Sequence, residues 1–285
     1  MMRLIFDFDG TITQADTIGD LAHAGIDFQR RHGHDLTSRW DHVVQAYTDD
    51  CKHYKDKYPT KEEDRRSVLE EVEYLAGLEN VEKASLARVE ESGIFAGLEH
   101  RGLFQMGVDA IESKKIALRD GFREVLDHAG RQGWTVGVIS VNWSRSFIRG
   151  VLHHFGIPVI VANEISPDGK IHGPDYLGKA LTNSAGKLHV LESEFEAQLQ
   201  SPDYGGNYTR TLYFGDSSTD LECLLHDGGI IISDEDDSSL IRTIRRLGYT
   251  VSHTSARKTG DRSDFHWARN FREVLDSGFL DSATI

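Results

Sequence analysis

The chain has 285 residues and a formal net charge of −14, which argues against a nucleic-acid partner, since a polyphosphate surface calls for a cationic stripe that this balance does not supply. Hydrophobic residues at 39% and charged residues at 27% describe a globular protein of one large or two unequal domains, and no apolar run approaches the roughly 18 residues of a membrane span. Cys51 and Cys223 cannot build a disulfide framework, and no signal-peptide core precedes the first acidic motif, so a cytoplasmic or nuclear protein is expected.

Residues 3–8 predict a strand buried on both faces, because Leu4, Ile5, Phe6 and Phe8 form an almost continuous apolar run. Gly10 breaks it and leaves Asp7 and Asp9 near its carboxyl end. From about residue 17 to 118 the texture is helical: Trp40, Val43, Val44 and Tyr47, then Leu69, Val72 and Leu75 or Ala76, recur every three or four positions. A helix follows over 121–131, then a strand over 134–140 (WTVGVIS), a helix over 144–155 and a strand over 158–162. ISPDGKIHG carries the turn chemistry of a hairpin at Pro167-Asp168-Gly169. The remaining pattern predicts a helix over about 188–200, a surface loop over 201–208 and a strand over 210–216. It continues with a helix over 219–225, a strand over 228–233 and a helix over 238–247. A polar stretch over 253–264 then precedes an amphipathic segment, WARNFREVL. This alternation predicts an α/β fold, a doubly wound parallel sheet, with the helical segment inserted after the first strand.

Doubly wound sheets bind ligands at the carboxyl ends of their strands. Three polar clusters fall there, Asp7 with Asp9, Ser140 with Asn142, and Asp216 with Asp220, and they are expected to converge. In the first, one carboxylate can attack phosphorus while the other moves protons; an isolated pair of this kind serves equally well as a turn or helix cap. In GDSSTD, Asp216 and Asp220 are spaced to share one helix face and offer hard oxygen ligands suited to Mg²⁺, although Asp and Ser also favour helix starts. Ser140 and the groups after it can hold an anion, as helix amino termini do, and Asn142 can reach the same anion. Lys187 is the favoured cation because it opens the helix directly preceding the GDSSTD strand, which a parallel topology returns to the strand ends; Lys179 is the reserve. Fourteen histidines include the groups His32 with His34 and His153 with His154, but none has zinc-ligand spacing. Trp143 is expected to pack, and KEEDRRSVLEEVE to be a solvated helix face.

Taken in order, DFDGTIT, the strand-terminal Ser140, Lys187 and GDSSTD resemble the four signature motifs of the haloacid dehalogenase superfamily of phosphatases. The likeness covers residues 1 to about 14 and about 118 to 250. It implies a catalytic core of residues 1–14 and 118–285 and a helical cap of residues 15–117, similar in position and character to the type 1 cap of the phosphoserine phosphatase-like branch. ISVNWS departs from that branch, whose members tend to have glycines after the serine. By resemblance, Asp7 is the nucleophile, and Asp9 is the general acid and base whose carbonyl also binds Mg²⁺. Asp216 is then a further metal carboxylate with Asp220 supporting it, and Ser140 and Lys187 hold the transferring phosphoryl group. The implied activity is Mg²⁺-dependent hydrolysis of a small organic phosphate ester through an aspartyl-phosphate. A phosphotransferase or mutase, or an idle phosphate-binding regulator, would share the same pocket.

Overall fold

A computed structural model describes residues 2–196, 210–259 and 263–282. The loop expected over 201–208, the last part of the helix expected over 188–200, and residues 260–262 of the polar stretch lie outside the described residues. In chain order the strands are β1 (Met2–Phe6), β2 (Thr135–Ile139), β3 (Val159–Val161), β4 (Glu164–Ile165), β5 (Ile171–His172), β6 (Arg210–Gly215), β7 (Gly229–Ile232), β8 (Val251–His253) and β9 (Phe265–Ala268). Helices α1 (Ile18–Arg31), α2 (Thr37–Lys57), α3 (Val68–Gly77), α4 (Glu79–Ser92) and α5 (His100–Glu112) follow β1, and α6 (Phe122–Gln132) leads into β2. After β2 come α7 (Arg145–Val151), α8 (Ser184–Val190), α9 (Leu221–Asp227), α10 (Ser239–Arg246), α11 (Phe271–Asp276) and α12 (Phe279–Ser282). No helix among the described residues is long and apolar enough to cross a membrane.

Seven strands form one parallel sheet in the order β3-β2-β1-β6-β7-β9-β8, while β4 and β5 pair as the antiparallel hairpin read from ISPDGKIHG. Strand alternation sorts the core into two. Leu4 and Phe6 point to one face, where Phe6 stacks on Phe214 at 4.6 Å and meets Phe122 edge-on at 5.5 Å. Ile5 points to the other, with Ile139, Tyr213 and Ile231. This is an α/β sheet covered on both sides, and β1 lies inside it between β2 and β6. The carboxyl ends of these three neighbours therefore meet at one edge.

Several elements differ from their sequence-based bounds. β1 ends at Phe6: the Asp7 amide adds one more bond to Phe214 O at 2.8 Å, and the chain then turns through Phe8–Ile12, closed by Thr13 N donating to Phe8 O at 3.0 Å. α7 is shorter than 144–155, starting where Ser144 Oγ accepts from Phe147 N and giving way to tight turns that end at left-handed Gly156. α8 begins at Ser184, where Asn183 caps Gly186 N at 2.9 Å, so Lys187 lies inside the helix instead of opening it. β8 ends at the first residue of the stretch read as polar, β9 starts where that stretch ends and runs into the segment read as amphipathic, and α11 starts only after the Asn270 cap. Buried His266 interrupts the apolar run of β9, which hid a strand covered on both faces.

The helical segment meets the sheet domain in two places. α5 crosses α7 at Gly107 and Gly150, where a Cβ would lie 2.2 Å from Phe147 O and 2.0 Å from Phe104 O, respectively. On the other side α3 packs on α8, and Leu75 joins the core with Val190 and Ile244.

Candidate active site

The turn after β1 carries Asp7 and Asp9 in different directions. Gly10 adopts φ 73°, open to glycine at no cost, and a Cβ there would sit 2.3 Å from Asp216 Oδ2. The turn and the end of β6 can approach this closely only without a side chain. Arg119 secures the turn from outside, donating through Nε to Gly10 O at 3.0 Å and through Nη1 to Asp234 at 2.7 Å and Arg269 O at 2.9 Å.

Asp7 is 3% exposed, and its Oδ1 accepts from Lys187 Nζ at 2.6 Å. The fully buried ammonium also donates to Asp220 Oδ1 at 2.7 Å. Burial alone would lower the lysine's pKa, but Asp220 and Asp7 outweigh it and hold the group above its usual range. Of the two lysines, Lys187 is the one that reaches Asp7; Lys179 is half exposed and pairs with Glu79 at 2.7 Å.

Asp216 stands at the strand end, not on a helix. Asp220 folds back to it, its Oδ2 accepting from Asp216 N at 3.1 Å and Ser217 N at 3.0 Å while its Oδ1 takes Lys187 and the Tyr213 hydroxyl at 2.8 Å. The helix-face spacing expected for Asp216 and Asp220 is therefore corrected: both oxygens of Asp220 are engaged in holding the lysine and the loop. Thr11 Oγ1 donates to Asp216 Oδ1 at 3.0 Å.

Asp9 occupies a separate niche. Its Oδ1 accepts from Thr17 N at 2.8 Å and Thr17 Oγ1 at 2.6 Å, and its Oδ2 accepts from Asn142 Nδ2 at 2.9 Å. Burial, helped by the Asp16 charge, pushes its carboxyl up to about 6 against these hydrogen bonds. Such a group can both give and take a proton near neutrality. Asn142, expected at the phosphate, spends its amide nitrogen on Asp9 and also donates to Thr17 Oγ1 at 3.3 Å. Ser140 is fully buried; its Oγ accepts from Asn142 N at 3.0 Å, leaving the hydroxyl hydrogen available as a donor.

Asp7, Asp216 and Asp220 bring carboxylate oxygens within 4.8 Å of one another. Three carboxylates face one ammonium, and burial together with the excess of negative charge raises Asp7 and Asp216. Burial, then Asp220, pushes Asp216 up to about 7, and the same two causes raise Asp7 well above the carboxylate range despite Lys187. The donor set of hard oxygens with excess negative charge suits a divalent cation such as Mg²⁺.

The structure brings all seven expected residues to this edge, and adds others. Thr17 gives two hydrogen bonds to Asp9; Asn163 ties the Val141–Asn142 backbone to Leu181 through four bonds. Tyr213 had a legible signal, a hydroxyl in an otherwise apolar buried strand that needs a partner. Asn163 had one too, a polar residue just past β3 at the same sheet edge as Ser140. Thr17 had none beyond its closeness to the motif.

A family model for haloacid dehalogenase-like hydrolases matches residues 4–225. A CTO1 family protein of Schizosaccharomyces pombe is 28% identical over 236 residues, covering 78% of this chain and 78% of its own. Cold tolerance protein 1 of Saccharomyces cerevisiae is 25% identical over 261 residues, 83% of this chain and 80% of its own. A substrate-bound phosphoserine phosphatase shares the fold with a TM-score of 0.52 at 16% identity, over 96% of this chain and 97% of that one.

Proposed function

Because the chain belongs to the haloacid dehalogenase-like hydrolase family, we propose that it is a Mg²⁺-dependent phosphatase acting on a small organic phosphate monoester. The observation that carries this reading is the division between its two motif acids: Asp7 is held on Lys187, while Asp9 is turned away onto Thr17 and Asn142, where burial pushes its carboxyl up to about 6.

In the first step a carboxylate oxygen of Asp7 attacks phosphorus, the ester P–O bond breaks, and the departing oxygen takes the proton of Asp9. In the second, Asp9 removes a proton from water, the resulting hydroxide attacks the aspartyl-phosphate, and phosphate leaves as Asp7 is restored. Ser140 Oγ and Lys187 Nζ donate to the phosphoryl oxygens, and Lys187 also offsets the charge of Asp7 and Asp220. Asp7, Asp216 and the backbone carbonyl of Asp9 would hold Mg²⁺, with Asp220 orienting Lys187 from behind. When bound, the ion draws negative charge from the phosphoryl oxygens. Residues 15–117 act as a cap that keeps water from the site and reads the alcohol. Two free thiols, one of them the buried Cys223, are consistent with a cytoplasmic or nuclear setting.

Phosphate release from p-nitrophenyl phosphate should require Mg²⁺, cease on chelation and return when the ion is restored. Asp7→Asn should lower it by roughly a thousandfold or more while leaving the circular dichroism spectrum unchanged. Wild-type turnover by that variant would refute the nucleophile.

A further inference from the structure

We infer that a cavity beside Asp9 seats the alcohol half of the substrate and selects a compact group bearing a hydrogen-bond donor or a positive charge, not a second anion. The inference rests on the phosphatase reading above and adds to it the class of leaving group.

Position comes first. The cavity, about 220 Å³, lies between the start of α1, helices α2 and α4, and Trp143. Two of its lining residues are chain neighbours of the residues that hold Asp9, and the Asp16 charge reaches Asp9 itself. Asp16 directly precedes Thr17, whose amide and hydroxyl both bind the Asp9 carboxylate, and Trp143 directly follows Asn142, which binds its other oxygen. The oxygen that takes a proton from Asp9 must depart on that side, so the group attached to it leaves toward this space.

Size and lining come next. The cavity has room for a group of several heavy atoms. Its walls are aromatic and aliphatic: Trp40, 8% exposed, meets Trp143 edge-on at 6.1 Å, and Val43 fills the space beside them. The charged functions are both acidic, beside the hydroxyls of Tyr47 and Ser85. Asp16 stands at the Asp9 end, and Glu82 accepts from the Tyr47 hydroxyl at 2.8 Å. Among the described residues that line the cavity there is no Lys, Arg or His.

The chemistry follows from that list. A carboxylate or second phosphate on the leaving group would sit between Asp16 and Glu82 without a counter-ion, in a space walled by low-dielectric rings. An ammonium or a neutral donor would instead meet two acceptors, and a cation would gain further from the faces of Trp40, Trp143 and Tyr47. Burial already raises the Glu82 carboxyl, as expected of an acid with no cation beside it.

The matched probes are O-phosphoethanolamine and O-phosphoserine, which differ by one carboxylate, with p-nitrophenyl phosphate reporting phosphatase activity itself. With Mg²⁺, kcat/KM for phosphoethanolamine should exceed that for phosphoserine by about tenfold or more. Glu82→Gln, which keeps the shape and removes the charge, should shrink that ratio by roughly threefold or more, and Asp16→Asn, at an exposed position, should shrink it in the same sense. A protein that turns over p-nitrophenyl phosphate yet prefers phosphoserine, or treats the two alike, overturns this inference and leaves the phosphatase reading standing. A ratio that neither variant moves overturns the assignment of the cavity. Calorimetric binding of the same two esters to Asp7→Asn protein reads the discrimination without turnover: tighter phosphoethanolamine supports the cavity even if no hydrolysis is found, and tighter or equal phosphoserine rejects it.

Discussion

At the scale of single residues, the site separates two acids that lie two positions apart in the chain. Asp7 depends on Lys187, and Lys187 is fully buried between the carboxylates of Asp7 and Asp220. Removing one partner of a buried ionic group leaves the others uncompensated. Lys187→Met should therefore lower unfolding stability by about 3–5 kcal/mol in urea titrations at neutral pH, as well as activity. Added Mg²⁺ should recover part of that stability, because it supplies the missing positive charge. Asp9 makes a different prediction. Para-nitrophenolate departs without a proton, whereas hydrolysis of the aspartyl-phosphate needs a base, so Asp9→Asn should release about one p-nitrophenol per chain in a burst and then stall. Steady turnover without a burst would deny Asp9 its role in the second step.

At the scale of elements, the turn after β1 and the end of β6 are built to touch. The left-handed backbone at Gly10 and the missing Cβ opposite Asp216 are two separate requirements met by one residue. Gly10→Ala should cost about 1–3 kcal/mol from the backbone alone. It should also displace Asp216, raising the Mg²⁺ concentration needed for half-maximal activity. A variant with unchanged metal dependence would show that the turn can relax without moving the carboxylate. The same economy appears in α8, where the Asn183 cap sets the first turn and thereby points Lys187 into the sheet edge.

At the scale of the molecule, the helical segment is anchored on the side opposite α5 by an ionic clasp. Glu71 of α3 is 4% exposed and accepts from Arg65 Nε at 2.8 Å and from Arg246 Nη2 of α10 at 2.9 Å; Arg246 also donates to Arg65 O, and the Arg65 guanidinium stacks 3.8 Å from the Tyr74 ring centre. Glu71→Ala leaves buried Arg65 without its acid, and should cost about 3–5 kcal/mol. Hydrogen exchange should rise over Val68–Gly77 before it rises in β1 or β6. Equal protection of α3 in the variant would mean that apolar contacts such as Leu75 hold the segment without the clasp.

Sequence by itself determined the sheet, because buried parallel strands need continuous apolar runs, and Leu4–Phe6, Val136–Ile139, Leu212–Phe214 and Ile230–Ile232 supply them, with the charges of Arg3 and Arg210 confined to the amino-terminal ends of β1 and β6. It also determined that Asp7, Asp9, Ser140, Lys187 and Asp216 belong together, since acids and hydroxyls at the carboxyl ends of neighbouring parallel strands have one edge to share. Strand β9 escaped because His266 broke its pattern, and α8 was misplaced because a cap, not periodicity, decides where it starts. Tertiary structure alone decided what each polar atom touches: that Asn142 serves Asp9, that Asp220 spends both oxygens on Lys187, Tyr213 and its own loop, and that Thr17 holds the second acid. Apolar patterning is additive along a chain and can be read one residue at a time. A hydrogen bond depends on two atoms meeting within about 3 Å, and for Asp9 and Asn142 those atoms are 133 residues apart.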